Sequence, residues 1–113
     1  MKFEAIERGN SVIIKMKDDL KFASIEAQFQ QLIQKNLNEN NKIFVVDLSE
    51  VKYVNSNGIG LLIRGYTSVV NAGGSLVLAN INEKLKELLS ITKLITIFNI
   101  YSSVDEALKS LNA

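Results

Sequence analysis

Ile43-Phe44-Val45-Val46-Asp47-Leu48 and, six residues on, Val54-Asn55-Ser56-Asn57-Gly58-Ile59-Gly60 decide how this chain folds. The first run is apolar on both alternating faces except at Asp47, the pattern of a central strand covered by helices on each side. Beyond the second run, Ile59, Leu62, Ile63, Tyr66, Val69 and Val70 recur at helical spacing. The reading is buried strand, short loop, helix. Asn55, Ser56 and Asn57 are residue types that accept hydrogen bonds from the free N–H groups of a first turn, so Ser56 at the helix mouth reads first as a cap. Gly58 and Gly60 each cost a helix about 1 kcal/mol against Ala, which suggests a backbone that something approaches closely. Asp47 lies near the strand's C-terminal end, where open α/β sheets bind their partners, and reads as a hydrogen-bonded loop anchor.

Working outward towards the N-terminus, Val12, Ile14 and Met16 alternate with Ile13, Lys15 and Lys17, and Gly9-Asn10 is a turn. Residues 2–17 therefore read as a hairpin at the sheet's edge, with Lys15 and Lys17 discouraging further pairing. Asp18-Asp19-Leu20-Lys21-Phe22-Ala23 is a loop or strand end; its two aspartates point to opposite sides in extended chain and read as a solvated turn. Ser24 opens a helix with the stripe Ile25, Phe29, Leu32, Ile33 and Leu37, ended by Asn38 to Asn41. Towards the C-terminus, Gly73-Gly74 supplies a helix end and turn. Ser75–Ala79 is a buried strand, and Asn82 caps a helix with Leu85, Leu88 and Leu89 inward. Ile97–Tyr101 is the last strand. Ser103-Val104-Asp105-Glu106 is a capping box, with Val104, Ala107, Leu108 and Leu111 facing in. The order β-β-α-β-α-β-α-β-α predicts one α/β domain over residues 1–113. Its central sheet is mostly parallel, with an antiparallel edge hairpin and four helices.

A chain of 113 residues, 47% hydrophobic and 22% charged, suits a single layered core. Thirteen basic residues against twelve acidic ones give a net charge of +1, scattered along the chain, which speaks against a direct nucleic-acid partner. With no Cys and no His, disulfides, zinc–thiolate sites and histidine-based catalytic triads are excluded. Gly58 and Gly60 make no dinucleotide fingerprint, because Ile63 holds the third glycine position, and no Gly-Lys-Ser or Gly-Lys-Thr exists. The expectation is a non-enzymatic protein with no cofactor and no metal. No N-terminal apolar run follows Met1-Lys2, and no stretch approaches the ~20 residues that span a bilayer, so a cytoplasmic location without membrane insertion is expected.

The run Val45-Val46-Asp47-Leu48-Ser49-Glu50-Val51-Lys52-Tyr53-Val54-Asn55-Ser56-Asn57-Gly58-Ile59-Gly60 resembles the STAS domain family, shared by bacterial anti-sigma factor antagonists and the tails of sulfate permeases. Asn71-Ala72-Gly73-Gly74, Leu88–Leu94 and Ile100–Leu108 extend the resemblance along nearly the whole chain. It implies a STAS-like fold. It also implies that Ser56 is phosphorylated by an anti-sigma factor that is itself a serine kinase, and that the unphosphorylated protein binds that kinase. Implied partner contacts are Lys21, Phe22, Asn55, Ser56, Asn57, Gly58 and Ile59. Three positions depart from the antagonist pattern: Asn55 stands for Asp, Asn57 for a second Ser or Thr, and Lys21 for an acid. Asp19 to Ser24 is similar to the transporter-tail branch instead. Alternatives on the same surface are an interaction subunit of a transport or sensory complex without phosphorylation, and a small-ligand or nucleotide sensor.

Overall fold

The computed structural model describes residues 3–17 and 26–112. The elements in order are β1 (Phe3–Arg8), β2 (Ser11–Met16), α1 (Glu26–Asn38), β3 (Ile43–Asp47), α2 (Ser56–Asn71), β4 (Ser75–Ala79), α3 (Glu83–Ile91), a 3-10 turn (Leu94–Thr96), β5 (Ile100–Tyr101) and α4 (Val104–Asn112). They form one five-stranded sheet in the order β1-β2-β3-β4-β5. β1 and β2 are antiparallel, and every other pair is parallel. Helices bridge the parallel pairs, as crossover connections must. The expected α/β architecture with its edge hairpin is the one observed.

β3 is the middle strand. Val45 lies opposite Ile13 and Val77, and Val46 opposite Ile14 and Leu78. Both valines are fully buried, although successive strand residues face opposite sides. The two covered faces are unequal. On one, Val12, Ile14, Met16, Phe44, Val46, Leu76 and Leu78 pack against Phe29 and Ile33 of α1, Leu62 and Val69 of α2, and Leu85 and Leu89 of α3. On the other, Ile13, Val45, Val77 and Ala79 meet α4, through Ala107 with Val104, Leu108 and Leu111 around it, beside Tyr101.

Four sequence readings change. β2 is buried on both faces rather than one, because helices cover each side of it: Val12, Ile14 and Met16 join the large cluster with α1, and Ile13 joins the α4 cluster. Lys15 therefore guards no edge; it pairs with Glu50 at 3.1 Å, and Lys17 pairs with Glu4 at 3.1 Å. The edge strand is β1. The inward stripe of α2 is rotated: Leu61 and Gly65 are buried and Val70 is 44% exposed. This follows from α1, whose Phe29 and Ile33 lie over Gly65, so close that a Cβ there would come within 2.8 Å of the ring. The last strand shrinks to Ile100–Tyr101, since Lys93 at φ 64° starts a tight turn in which the Phe98 amide donates to the Leu94 carbonyl. Leu94 and Ile95 pack onto the core from that turn, and Ile97 stays 42% exposed. The readings placed on residues 18–25, including Ser24 as a helix start and Ile25 in the stripe, lie outside the described residues. Among the described residues, no helix is long and apolar enough to cross a membrane.

Candidate functional site

The loop from β3 to α2 is fastened at three places. Asp47 is buried, and its Oδ1 accepts from the Ser49 amide and from Asn80 Nδ2, each at 3.0 Å. One carboxylate thus ties the exit of β3 to the exit of β4, the anchoring role expected from its place at the strand end. Val51 and Val54 are the apolar fasteners, both buried in the large core cluster. Asn82 is the third: its Nδ2 donates to the carbonyls of Val51 and Lys52 at 3.2 and 3.3 Å. The same side chain caps α3, its Oδ1 accepting from the Leu85 amide at 2.8 Å. Sequence reasoning found the cap and missed the clamp, because the two carbonyls lie about thirty residues upstream.

The helix mouth is built differently from the expectation. Asn55, with extended backbone (φ −101°, ψ −173°), is the N-cap, and its Oδ1 accepts from the Gly58 amide at 3.1 Å. A capping side chain has to come from the residue just before the first helical one, and Ser56 is already helical. Ser56 is exposed and Asn57 is exposed beside it, whereas Gly58 is buried and Ile59 packs part-buried on the core. The first turn carries no acidic residue, so nothing in it neutralises the positive end of the helix dipole. Lys21 and Phe22, the remaining candidate contacts, lie outside the described residues. Nor does backbone from another element crowd Gly60: the atoms nearest a Cβ there are those of the Arg64 guanidinium, at 3.2 Å, the far end of a flexible side chain.

Asn55→Ala should therefore lower stability by about 0.5–2 kcal/mol through loss of the cap, and Asn55→Asp should retain it. Ser56→Ala should change stability by no more than about 0.5 kcal/mol, as for an exposed residue outside the cap. Thermal melting of the three variants checks this, and equal losses at both positions would contradict the observed cap.

Two clefts are lined in part by the β3–α2 loop. Lys52, Tyr53, Val54, Lys84, Leu85 and Leu88 line one of about 260 Å³, with an apolar floor and lysines at its rim. Ser49, Asn80, Ile81, Glu83, Lys86 and Tyr101 are among the residues lining a more polar one of about 540 Å³ at the carboxyl ends of β3, β4 and β5. At the near side of the loop the Glu50 carboxylate accepts from Lys15 Nζ, and that hydrogen bond, with the opposite charge behind it, raises the Lys15 pKa above its ordinary value.

Comparison with known proteins agrees with this architecture. A candidate anti-sigma factor antagonist of Thermotoga maritima is 37% identical over 71 residues, 63% of this chain and 62% of that protein. The match thus spans under two thirds of the relative's length. A crystal structure of a candidate anti-sigma factor antagonist from Thermotoga maritima superposes with a TM-score of 0.87 at 25% identity, covering 98% of this chain and 95% of the other. A sulfate transporter family protein from Wolinella succinogenes superposes with a TM-score of 0.81 at 16% identity, over 95% of this chain and 88% of that one, a likeness of fold alone. The family profile of the STAS domain matches residues 2–107, and the chain belongs to the STAS domain family.

Proposed function

We propose that this protein is a cytoplasmic, non-enzymatic anti-sigma factor antagonist. In this reading it docks its α2 mouth onto an anti-sigma factor with serine kinase activity and is released when Ser56 is phosphorylated. The observation that carries the reading is the division of labour between Asn55 and Ser56. Asn55 supplies the cap, so capping does not fall to the exposed Ser56 hydroxyl. A phosphate there would bring a charge of about −1.5 to −2 to a helix N-terminus, where free N–H groups and the dipole stabilise it. With no acid in the first turn, and Asn in place of Asp at position 55, nothing adjacent in that turn repels it. A docked partner would instead confront a new charge at the interface. The fold accepts the modification and the interface rejects it, which is what a switch needs.

The test is the phosphorylation state of the protein isolated from its native cells. One phosphate, lost in Ser56→Ala, is expected by intact mass and peptide mapping. If the isolated protein is bound to a partner and carries no phosphate under any growth condition, the switch is wrong. The same surface then serves as a constitutive interaction face.

A further inference from the structure

β1 is a terminal strand of the sheet, and all of Glu4 to Arg8 is exposed along it. Which of its peptide groups are unpaired follows from the hairpin. Arg8 faces Ser11 across the two-residue loop Gly9-Asn10, with Gly9 at φ 62° in the first central position, the type II′ arrangement. The residues closing such a turn are a hydrogen-bonded pair, and pairs then alternate along an antiparallel ladder. Arg8, Ile6 and Glu4 therefore direct their N–H and C=O groups at β2. Glu7, Ala5 and Phe3 direct theirs outward. An exposed edge of this kind is a template for another strand.

A second copy of the chain, running antiparallel, must place outward groups opposite outward groups, which leaves few registers. Ala5 opposite Ala5 sets Glu4 against Ile6 and Phe3 against Glu7, a mismatch of apolar and charged side chains. The next permitted register sets Ala5 opposite Glu7 in a hydrogen-bonded pair and puts Ile6 opposite Ile6 on the two-fold axis. In that register Glu4 of each copy lies opposite Arg8 of the other. Ile6 is 40% exposed in the monomer, far more than its strand neighbour Ile13 at 5%. Arg8 has no ion-pair partner among the described residues. Among those residues Glu4 is held by the half-exposed Lys17 at 3.1 Å, which leaves a second carboxylate oxygen available.

We propose that the β1 edge is a self-association surface: two copies pair through Phe3–Arg8 about Ile6, joining two five-stranded sheets into one. The apolar side chains meet at the axis, where side chains of a non-hydrogen-bonded pair approach most closely, and the two Glu4–Arg8 pairs flank them. This surface is independent of the α2 mouth. A strand edge six residues long buries little area, so the dimer is weak and reversible.

Sedimentation velocity across a concentration series tests this, with circular dichroism melting to confirm that each variant is folded. Wild type should pass from monomer to dimer as concentration rises. Glu4→Arg alone and Arg8→Glu alone should each weaken association by about tenfold or more, since each sets like charges opposite one another. An equimolar mixture of those two variants should regain the dimer. One copy then carries arginine at both positions and the other glutamate at both, so every flanking pair is again of opposite charge. Glu7→Pro should abolish association by removing an outward N–H without touching the β2 ladder. A wild type that stays monomeric at its highest soluble concentration overturns the proposal. So does a dimer indifferent to Glu7→Pro, or a mixture that remains monomeric.

Discussion

Ser56→Asp is expected to weaken binding to the proposed anti-sigma partner by about a hundredfold or more, roughly 2.7 kcal/mol, while leaving the melting temperature unchanged or slightly raised. The two effects have separate causes. At the first helical position of α2 a carboxylate interacts favourably with the dipole, by about 0.3–1 kcal/mol at an exposed site, and Asn55 keeps its hydrogen bond to Gly58. At the interface the same carboxylate would be desolvated with no counter-charge, a situation that costs several kcal/mol. Ser56→Ala should melt and bind like wild type and refuse phosphate. Calorimetric affinity and thermal melting of both variants are the measurements. Stability and binding moving apart for the Asp variant is the signature of a charge switch. If Ser56→Asp binds as wild type does, charge at this position is not what the partner reads.

Gly74→Ala should be among the most damaging small substitutions in the chain, costing about 2–5 kcal/mol and lowering the melting temperature by about 10 °C or more. A Cβ at position 74 would fall 2.4 Å from the Lys42 carbonyl oxygen and 2.9 Å from a Val69 methyl. That carbonyl cannot move aside cheaply, because it accepts from the Ser75 amide at 2.8 Å where β4 begins beside β3. The Gly74 amide itself donates to the Val69 carbonyl at 2.9 Å, closing the end of α2. Gly60→Ala is the matched control. The atoms nearest a Cβ there belong to the flexible tip of Arg64, at 3.2 Å, and that tip can shift while keeping its pair with Glu26, so gaining helix propensity should stabilise by up to about 1 kcal/mol. Thermal melts of the two variants should move in opposite directions; similar shifts would contradict the close approach at Gly74.

The central elements were legible because their residues obey one period each. Ile43 to Leu48 and Ser75 to Ala79 read as buried strands, and Asn82 as a cap, from local pattern alone. What the sequence hid depended on neighbours far along the chain. Whether Lys15 guards an edge depends on β1 lying outside β2, a question of strand order that alternation does not encode. The rotation of α2 depends on the Phe29 ring seated against Gly65, and a glycine carries no hydrophobic signal of its own. At the helix mouth the difficulty was different: Asn and Ser cap equally well, and only the backbone angles show that position 55 takes the task. Ile97 and Phe98 read as the start of the last strand, whereas the residues just after a tight turn bury Phe98 without a sheet.

The double duty of Asn82 makes the stiffness of the Ser56 loop a property of another helix. Its amide nitrogen holds the carbonyls of Val51 and Lys52 while its oxygen holds the first turn of α3. Any partner or phosphate that displaces the loop therefore reaches the start of α3 through one side chain. Hydrogen exchange at the Leu85 amide becomes a remote gauge of events at Ser56, read without any label near the serine. Asn82→Asp would cut that line of communication selectively, since a carboxylate still accepts from Leu85 but has no N–H to offer the loop.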